Sequence, residues 1–299
     1  VGLELEFFCF CCHPNIRTQT ARELAMKWLV ALACSAAIQV RASHDGPLVE
    51  IPFGQVRGVW STENGGMRVF RGIPYAKPPV GDNRWRPPTA HSGWAGVLDA
   101  SDFGPSCVQP SCWVSENVSR LSEDCLTINV LAPKLAKKSA VVVYFHAGEF
   151  HCGSSNDAES NWPQLVKDDI VFVSFNYRVG VFGYLGADEL RTRDPRGGTG
   201  NYGMLDQRFA IKWVKDNIAA FGGDPSRITI AGESSGGTSV AYHLLTGGGA
   251  PTNQFARAIL QSPGLTQVKS MPDATENFEW TLAALRSFNS PSCARAPGY

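Results

Sequence analysis

The segment Gly232-Glu233-Ser234-Ser235-Gly236 sets a hydroxyl between two glycines, after the apolar run at 228–231 and before Gly237-Thr238-Ser239-Val240-Ala241-Tyr242-His243-Leu244-Leu245. A serine hydroxyl is a weak nucleophile at its free pKa, and it attacks a carbonyl only when a base takes its proton and N–H donors receive the oxyanion. Glycines at 232 and 236 permit a sharp strand-to-helix turn, because a side chain at either point would crowd the neighbouring backbone. Such an elbow predicts Ser234 as a nucleophile at a helix N-terminus, with the Ser235 N–H facing a developing oxyanion. The bare pentapeptide is only moderately specific, and the strand and helix around it carry the reading. A second element, FHAGEFHCGSS, follows the strand-like VVVYF. A glycine-bearing turn at a strand end can supply further N–H donors, and the alternative is a tight turn with no chemistry.

These groups need a frame that brings strand ends together. CLTINVLAP, AVVVYFHAG, DIVFVSFNYR, RITIAGES and RAILQSPG are short apolar runs, most of them rich in β-branched residues, that end in glycine, proline or polar residues. Runs with little polar alternation predict strands covered on both faces, as in a parallel sheet. In MLDQRFAIKWVKDNIAAFGG, apolar Leu205, Phe209, Ile211, Trp213, Val214 and Ile218 fall close to helical periodicity, and Gly222-Gly223 supplies the stop. Residues 47–62 predict small antiparallel strands, and YAKPPVGDNRWRPP predicts an ordered surface loop. The fold class is therefore α/β, with a mostly parallel central sheet flanked by helices. In such a sheet, reactive groups collect at the carboxyl ends of the strands.

Zero formal net charge, 43% hydrophobic residues and no long Lys/Arg run describe an ordinary globular chain without the electrostatic footprint of a nucleic-acid binder. Met26, Lys27, the apolar core at 28–38 and the small residues after it predict a secretory signal peptide over 26–42. Cleavage would follow Val40-Arg41-Ala42, and Ser43 would start the mature chain. A buried helix is the alternative, since the core is too short to span a bilayer. Residues 1–25 are then non-native upstream translation, and Cys9, Cys11 and Cys12 carry no weight. Export would leave Cys107, Cys112, Cys125, Cys152 and Cys293 in an oxidising compartment, where pairing is expected and at least one thiol is left over. The triplet Asn117-Val118-Ser119 is a glycosylation acceptor suited to that setting.

NYGMLDQRFAIKWVKDNIAAFGGDPSRITIAGESSGG, with SEDCLTINVLAP and VSFNYRVGVFGYL, resembles the type B carboxylesterase and cholinesterase family of α/β-hydrolases over roughly residues 47–285, with the motifs in the family's order and at its spacing. The resemblance implies an α/β-hydrolase fold whose C-terminal half is missing from this chain, with residues 286–299 a possible aberrant tail. It implies Ser234 as nucleophile and Gly148, Glu149 and Ser235 as the donors of an oxyanion hole. Glu233 matches an acidic residue common before the nucleophile and argues mildly against the juvenile-hormone esterase branch. Cys107 and Cys125 match the family's first disulfide, closing a loop that holds Cys112, Trp113 and the Asn117 sequon. Cys293 belongs either to a second disulfide or to the tail. Trp113 does not match the choline-binding tryptophan cleanly and is read as loop packing.

Two departures bear on activity. Ala147 and Glu149 stand where the family has glycine, or glycine and alanine, and a carboxylate there opposes an oxyanion unless it points away or is paired. The family's acid and histidine partners come late in the chain, beyond Tyr299. His243, nine positions after Ser234 on the same predicted helix, lies about 13 Å along it and is read as a helix residue at the sheet surface; His146 starts the oxyanion turn and is read as structural, and His151, close after that turn, is not taken as the base. The expected function is a secreted carboxylic-ester hydrolase that works through an acyl-serine on a small-molecule ester, here as a truncated and inactive fragment. No cofactor, metal, nucleic acid or membrane span in the fragment enters this reading, and oligomeric state stays open. The alternative from another class is a neuroligin-like adhesion protein of the same fold, which retention of Ser234 disfavours.

Overall fold

The computed structural model describes residues 45–63, 66–112, 120–157, 160–246, 254–265 and 268–288. The segments read as upstream translation and signal peptide, with Trp113, Asn117 and Cys293, lie outside the described residues. At the start, β1 (Leu48–Ile51) and β2 (Gly54–Arg57) form an antiparallel pair, while β3 (Val59–Ser61) and β4 (Met67–Pro74) join the main sheet. Next come β5 (Val97–Asp99), which lies parallel to β2, and the two-residue strands β6 (Ser106–Cys107) and β7 (Leu121–Ser122), which pair with each other. The proline-rich loop at 75–88 holds only a single 3-10 turn, Gly81–Asn83.

The large sheet is completed by β8 (Thr127–Pro133), β9 (Ser139–Phe145), β10 (Ile170–Phe175), β11 (Gly223–Glu233) and β12 (Arg257–Gln261). Its seven strands run in the order β12-β11-β9-β10-β8-β4-β3. The four strands from β12 to β10 are mutually parallel, whereas β8 runs antiparallel to both β10 and β4. The apolar run of β8 is as continuous as those of its parallel neighbours because it reports burial on both faces, and burial is blind to strand direction.

Alternation along each strand divides the core in two. Ile128, Val130, Val141, Val143, Phe145, Val171, Val173, Phe175, Ile228 and Ile230 enter one cluster, with Ala210, Ile211, Trp213, Val214 and Val240 from the helices. Leu131, Tyr144, Phe172 and Ala231 enter a second cluster, closed by Val166, with Trp162 packed against it.

Four helices are described: α1 (Gly180–Tyr184), α2 (Tyr202–Asn217), α3 (Ser235–Leu245) and α4 (Met271–Phe288). Leu205 and Phe209 of α2 are only partly buried, and its inward face instead includes Asp206, Gln207, Ala210, Ile211 and Val214. Two polar side chains thus sit where the apolar pattern alone points elsewhere, because both have buried partners. Residues 286–288 complete α4. Among the described residues no helix is long and apolar enough to cross a membrane, and no cluster of His, Cys, Asp and Glu is placed to hold a metal ion.

Candidate active site

Ser234 is the single residue between β11 and α3, and its backbone stands at φ 54° and ψ −121°. A positive φ is unfavourable for a residue with a β-carbon, and it persists only where the surroundings fix it. Here the Ser234 N–H donates to the Gln261 carbonyl of β12 (2.9 Å), and its own carbonyl accepts from the Thr238 N–H (2.9 Å) and hydroxyl (3.1 Å). The flanking glycines are demanded by space. A β-carbon on Gly232 would lie 2.4 Å from the Gly236 carbonyl carbon, and one on Gly236 would lie 2.1 Å from the Phe145 carbonyl oxygen. Backbone cannot retreat as a flexible side chain can. Gly236→Ala is therefore expected to destabilise the protein by roughly 3 kcal/mol or more, at the upper end for overpacking, and an unchanged urea unfolding midpoint would refute this close contact.

Pairing of β11 with β9 sets Gly232 opposite Phe145. The elbow and the turn that leaves β9 consequently sit side by side at the carboxyl ends of adjacent parallel strands. In that turn Gly148 has φ 119°, Glu149 φ 56° and Phe150 φ 62°. The Gly148 carbonyl accepts from the N–H groups of His151 (2.9 Å) and Cys152 (3.1 Å), which closes the turn. A β-carbon on Gly148 would lie 2.2 Å from the Cys152 carbonyl oxygen, so glycine is required there. The N–H groups of Gly148 and Glu149 donate to no other described group. That of Ser235, in the first turn of α3, has no acceptor within the helix. The structure thus brings Gly148, Glu149, Ser234 and Ser235 to one corner of the sheet with three N–H donors uncommitted. Glu149 is exposed, and its carboxylate makes no ion pair or hydrogen bond with a described residue.

No described imidazole pairs with the Ser234 hydroxyl. His146 is buried and stacks on Tyr177 with ring centroids 4.0 Å apart. Its Nδ1 donates to the Ala147 carbonyl (2.9 Å), which fixes the tautomer because a carbonyl can only accept. The Tyr177 hydroxyl donates to the His146 carbonyl (2.8 Å). His243 is also buried, with Nε2 2.9 Å from Gln207 Oε1, and Gln207 in turn donates to Ser239, whose hydroxyl donates to the Ser235 carbonyl. That chain ties α2 to the first turn of α3. His151 is exposed.

Burial pushes His146 down to about 4, against the pull of its bond to Ala147. Burial, aided by the positive charge of Arg208, pushes His243 down to about 3. An unfolded histidine titrates near pH 6.5, so the unfolded chain takes up these protons first. The stability contributed by the two neutral rings is complete above about pH 6.5 and is lost as the pH falls toward 4 and 3. The urea midpoint should drop between pH 6.5 and 5, and His243→Gln should flatten the drop. A profile level over that window would show that these rings do not stay neutral on folding.

The covalent frame comes from two disulfides, Cys107–Cys125 and Cys112–Cys152. Spacing left the partner of Cys152 undetermined, and the structure supplies it from the loop between the first pair. A buried ion pair was also invisible in the sequence. The Arg178 guanidinium donates to both Asp206 oxygens (2.7 and 2.8 Å), and the Arg178 N–H adds a third bond (3.1 Å). Burial pushes the Asp206 carboxyl up, against the pull of Arg178. The pair locks the chain after β10 to α2.

The carboxylesterase family profile matches residues 45–293. Fumonisin B1 esterase of Sphingopyxis macrogoltabida is 40% identical over 250 residues, covering 81% of this chain and 45% of that protein. Para-nitrobenzyl esterase of Bacillus subtilis (strain 168) is 40% identical over 220 residues, 72% of this chain and 43% of its own. Phenmedipham hydrolase of Pseudarthrobacter oxydans is 42% identical over 206 residues, 66% of this chain and 40% of its own. A solved structure of PNB esterase superposes with a TM-score of 0.71 at 36% identity, over 80% of this chain and 48% of that one. The chain spans less than half the length of these relatives.

Proposed function

We propose, because the chain belongs to the carboxylesterase family, that it carries the nucleophile and oxyanion hole of an exported carboxylic-ester hydrolase. The observation that carries this reading is Ser234 at φ 54° on the strand-to-helix elbow, beside three uncommitted N–H groups. Ser234 Oγ attacks the ester carbonyl while a histidine outside the described residues takes its proton. Gly148, Glu149 and Ser235 donate to the tetrahedral oxyanion, and the alcohol leaves with the proton from that histidine. Water then cleaves the acyl-serine and restores the hydroxyl, so carboxylic acid and alcohol are the products and no cofactor is consumed. Described residues alone leave the Ser234 hydroxyl unpaired, and they are expected to show only the residual rate of an oxyanion hole without its base.

Two relatives are named as esterases of different compounds, so a small-molecule ester is the substrate class and no single ester follows. Export is supported by the two disulfides, which form in oxidising compartments. Glu149 in the oxyanion turn is the one observation that favours a non-catalytic binding protein. Treating the whole protein with a fluorophosphonate and mapping the adduct by peptide mass separates the readings. An adduct on Ser234 supports the hydrolase, and no adduct anywhere sinks it.

A further inference from the structure

We infer that the Cys112–Cys152 disulfide and Gln109 together hold the oxyanion turn in its donor-presenting shape, which makes Gln109, Cys112 and Cys152 positioning residues for the reaction. The inference rests on Ser234 being the nucleophile. Glu149 and Phe150 occupy consecutive positive-φ positions, where a β-carbon crowds the adjacent carbonyl. Glycine would adopt this backbone freely, whereas these two residues keep it only where the chain is held: at Phe150, which is buried against Tyr184 and whose carbonyl accepts from the Gly180 N–H (2.7 Å), and on either side of the pair.

At the entry, β9 and the His146–Tyr177 stack hold the chain. At the exit, two successive residues are fastened to the same outer loop. Cys152 is bonded to Cys112. Gly153 donates its N–H to Gln109 Oε1 (2.7 Å), and its carbonyl accepts from Gln109 Nε2 (3.0 Å). Gln109 is only 8% exposed, and its Nε2 also donates to the Cys107 carbonyl (2.9 Å). The loop is itself tied at its base, through Cys107–Cys125 and a bond from the Ser106 hydroxyl to that of Ser154 (2.8 Å). Strain in the turn and a double fastening at its exit thus meet within five residues.

The test compares the whole protein with Cys112→Ala/Cys152→Ala and with Gln109→Met, with the Cys107–Cys125 bond verified by non-reduced peptide mass. Two readouts are taken: amide hydrogen exchange of the peptide spanning 146–153, and the rates of fluorophosphonate labelling and p-nitrophenyl acetate hydrolysis. Exchange at Gly148–Cys152 should quicken about tenfold as local opening becomes easier. Labelling and kcat should fall roughly tenfold to a hundredfold, short of or comparable to loss of one oxyanion donor, with KM little changed. Adding Glu149→Gly to the cysteine variant should restore part of kcat, because glycine needs no fastening. A general loss of structure would not be rescued in this way.

Unchanged exchange in both variants overturns the inference, as does faster exchange with kcat intact. If the cysteine variant fails to fold, Gln109→Met decides by the same readouts. A parent protein that takes no label overturns the nucleophile reading and the inference with it. A labelled parent whose variants match it overturns the inference alone.

Discussion

Ser234→Ala in the whole protein is expected to abolish fluorophosphonate labelling and to lower ester hydrolysis by about ten-thousandfold or more, leaving the residue of rate that an oxyanion hole and binding provide without a nucleophile. Alanine keeps the β-carbon, so the strain at φ 54° is common to both proteins. Among the described residues the hydroxyl has no side-chain partner, so its loss orphans no described group. The urea midpoint should therefore hold while the activity goes, which assigns the effect to chemistry rather than to folding. Hydrolysis within tenfold of the parent would place the nucleophile elsewhere.

Asp206→Ala is expected to destabilise the fold by roughly 3–5 kcal/mol, the range for removing one member of a buried ion pair. Asp206 is fully buried, and the Arg178 side chain is 3% exposed. Truncation strands a guanidinium whose remaining acceptor is the Arg86 carbonyl (2.8 Å), with one nitrogen, Nη1, already unpartnered. Removing both charges in Arg178→Met/Asp206→Leu should cost less than the single change, because an apolar pair leaves nothing uncompensated. Urea unfolding of the two variants checks this, and a double variant worse than Asp206→Ala would show that the pair contributes net stability beyond its own desolvation.

Much of this arrangement was legible in the residues. The elbow could be read because glycine at 232 and 236 has a steric cause that a tight corner imposes on any chain. The strands could be read because burial on both faces leaves continuous apolar runs, but the same signal hid the antiparallel direction of β8. On α2, periodicity weights apolar residues and so passed over Asp206 and Gln207, the two buried positions whose partners on Arg178 and His243 lie far off in sequence. Cys112–Cys152 was illegible for a related reason. Cysteine spacing constrains which pairings are possible without choosing among them, and the choice was made by the turn after β9 coming to rest against the outer loop.

The backbone at Ser234 also bears on stability. Glycine at this position would remove a strain of roughly 1–2 kcal/mol, so a chain with no use for the hydroxyl would gain stability by giving it up, and stability alone slopes from serine toward glycine. Serine at 234 stands against that slope. A higher unfolding midpoint for Ser234→Gly than for Ser234→Ala would measure how steep the slope is, and equal midpoints would mean that the corner exacts no such toll.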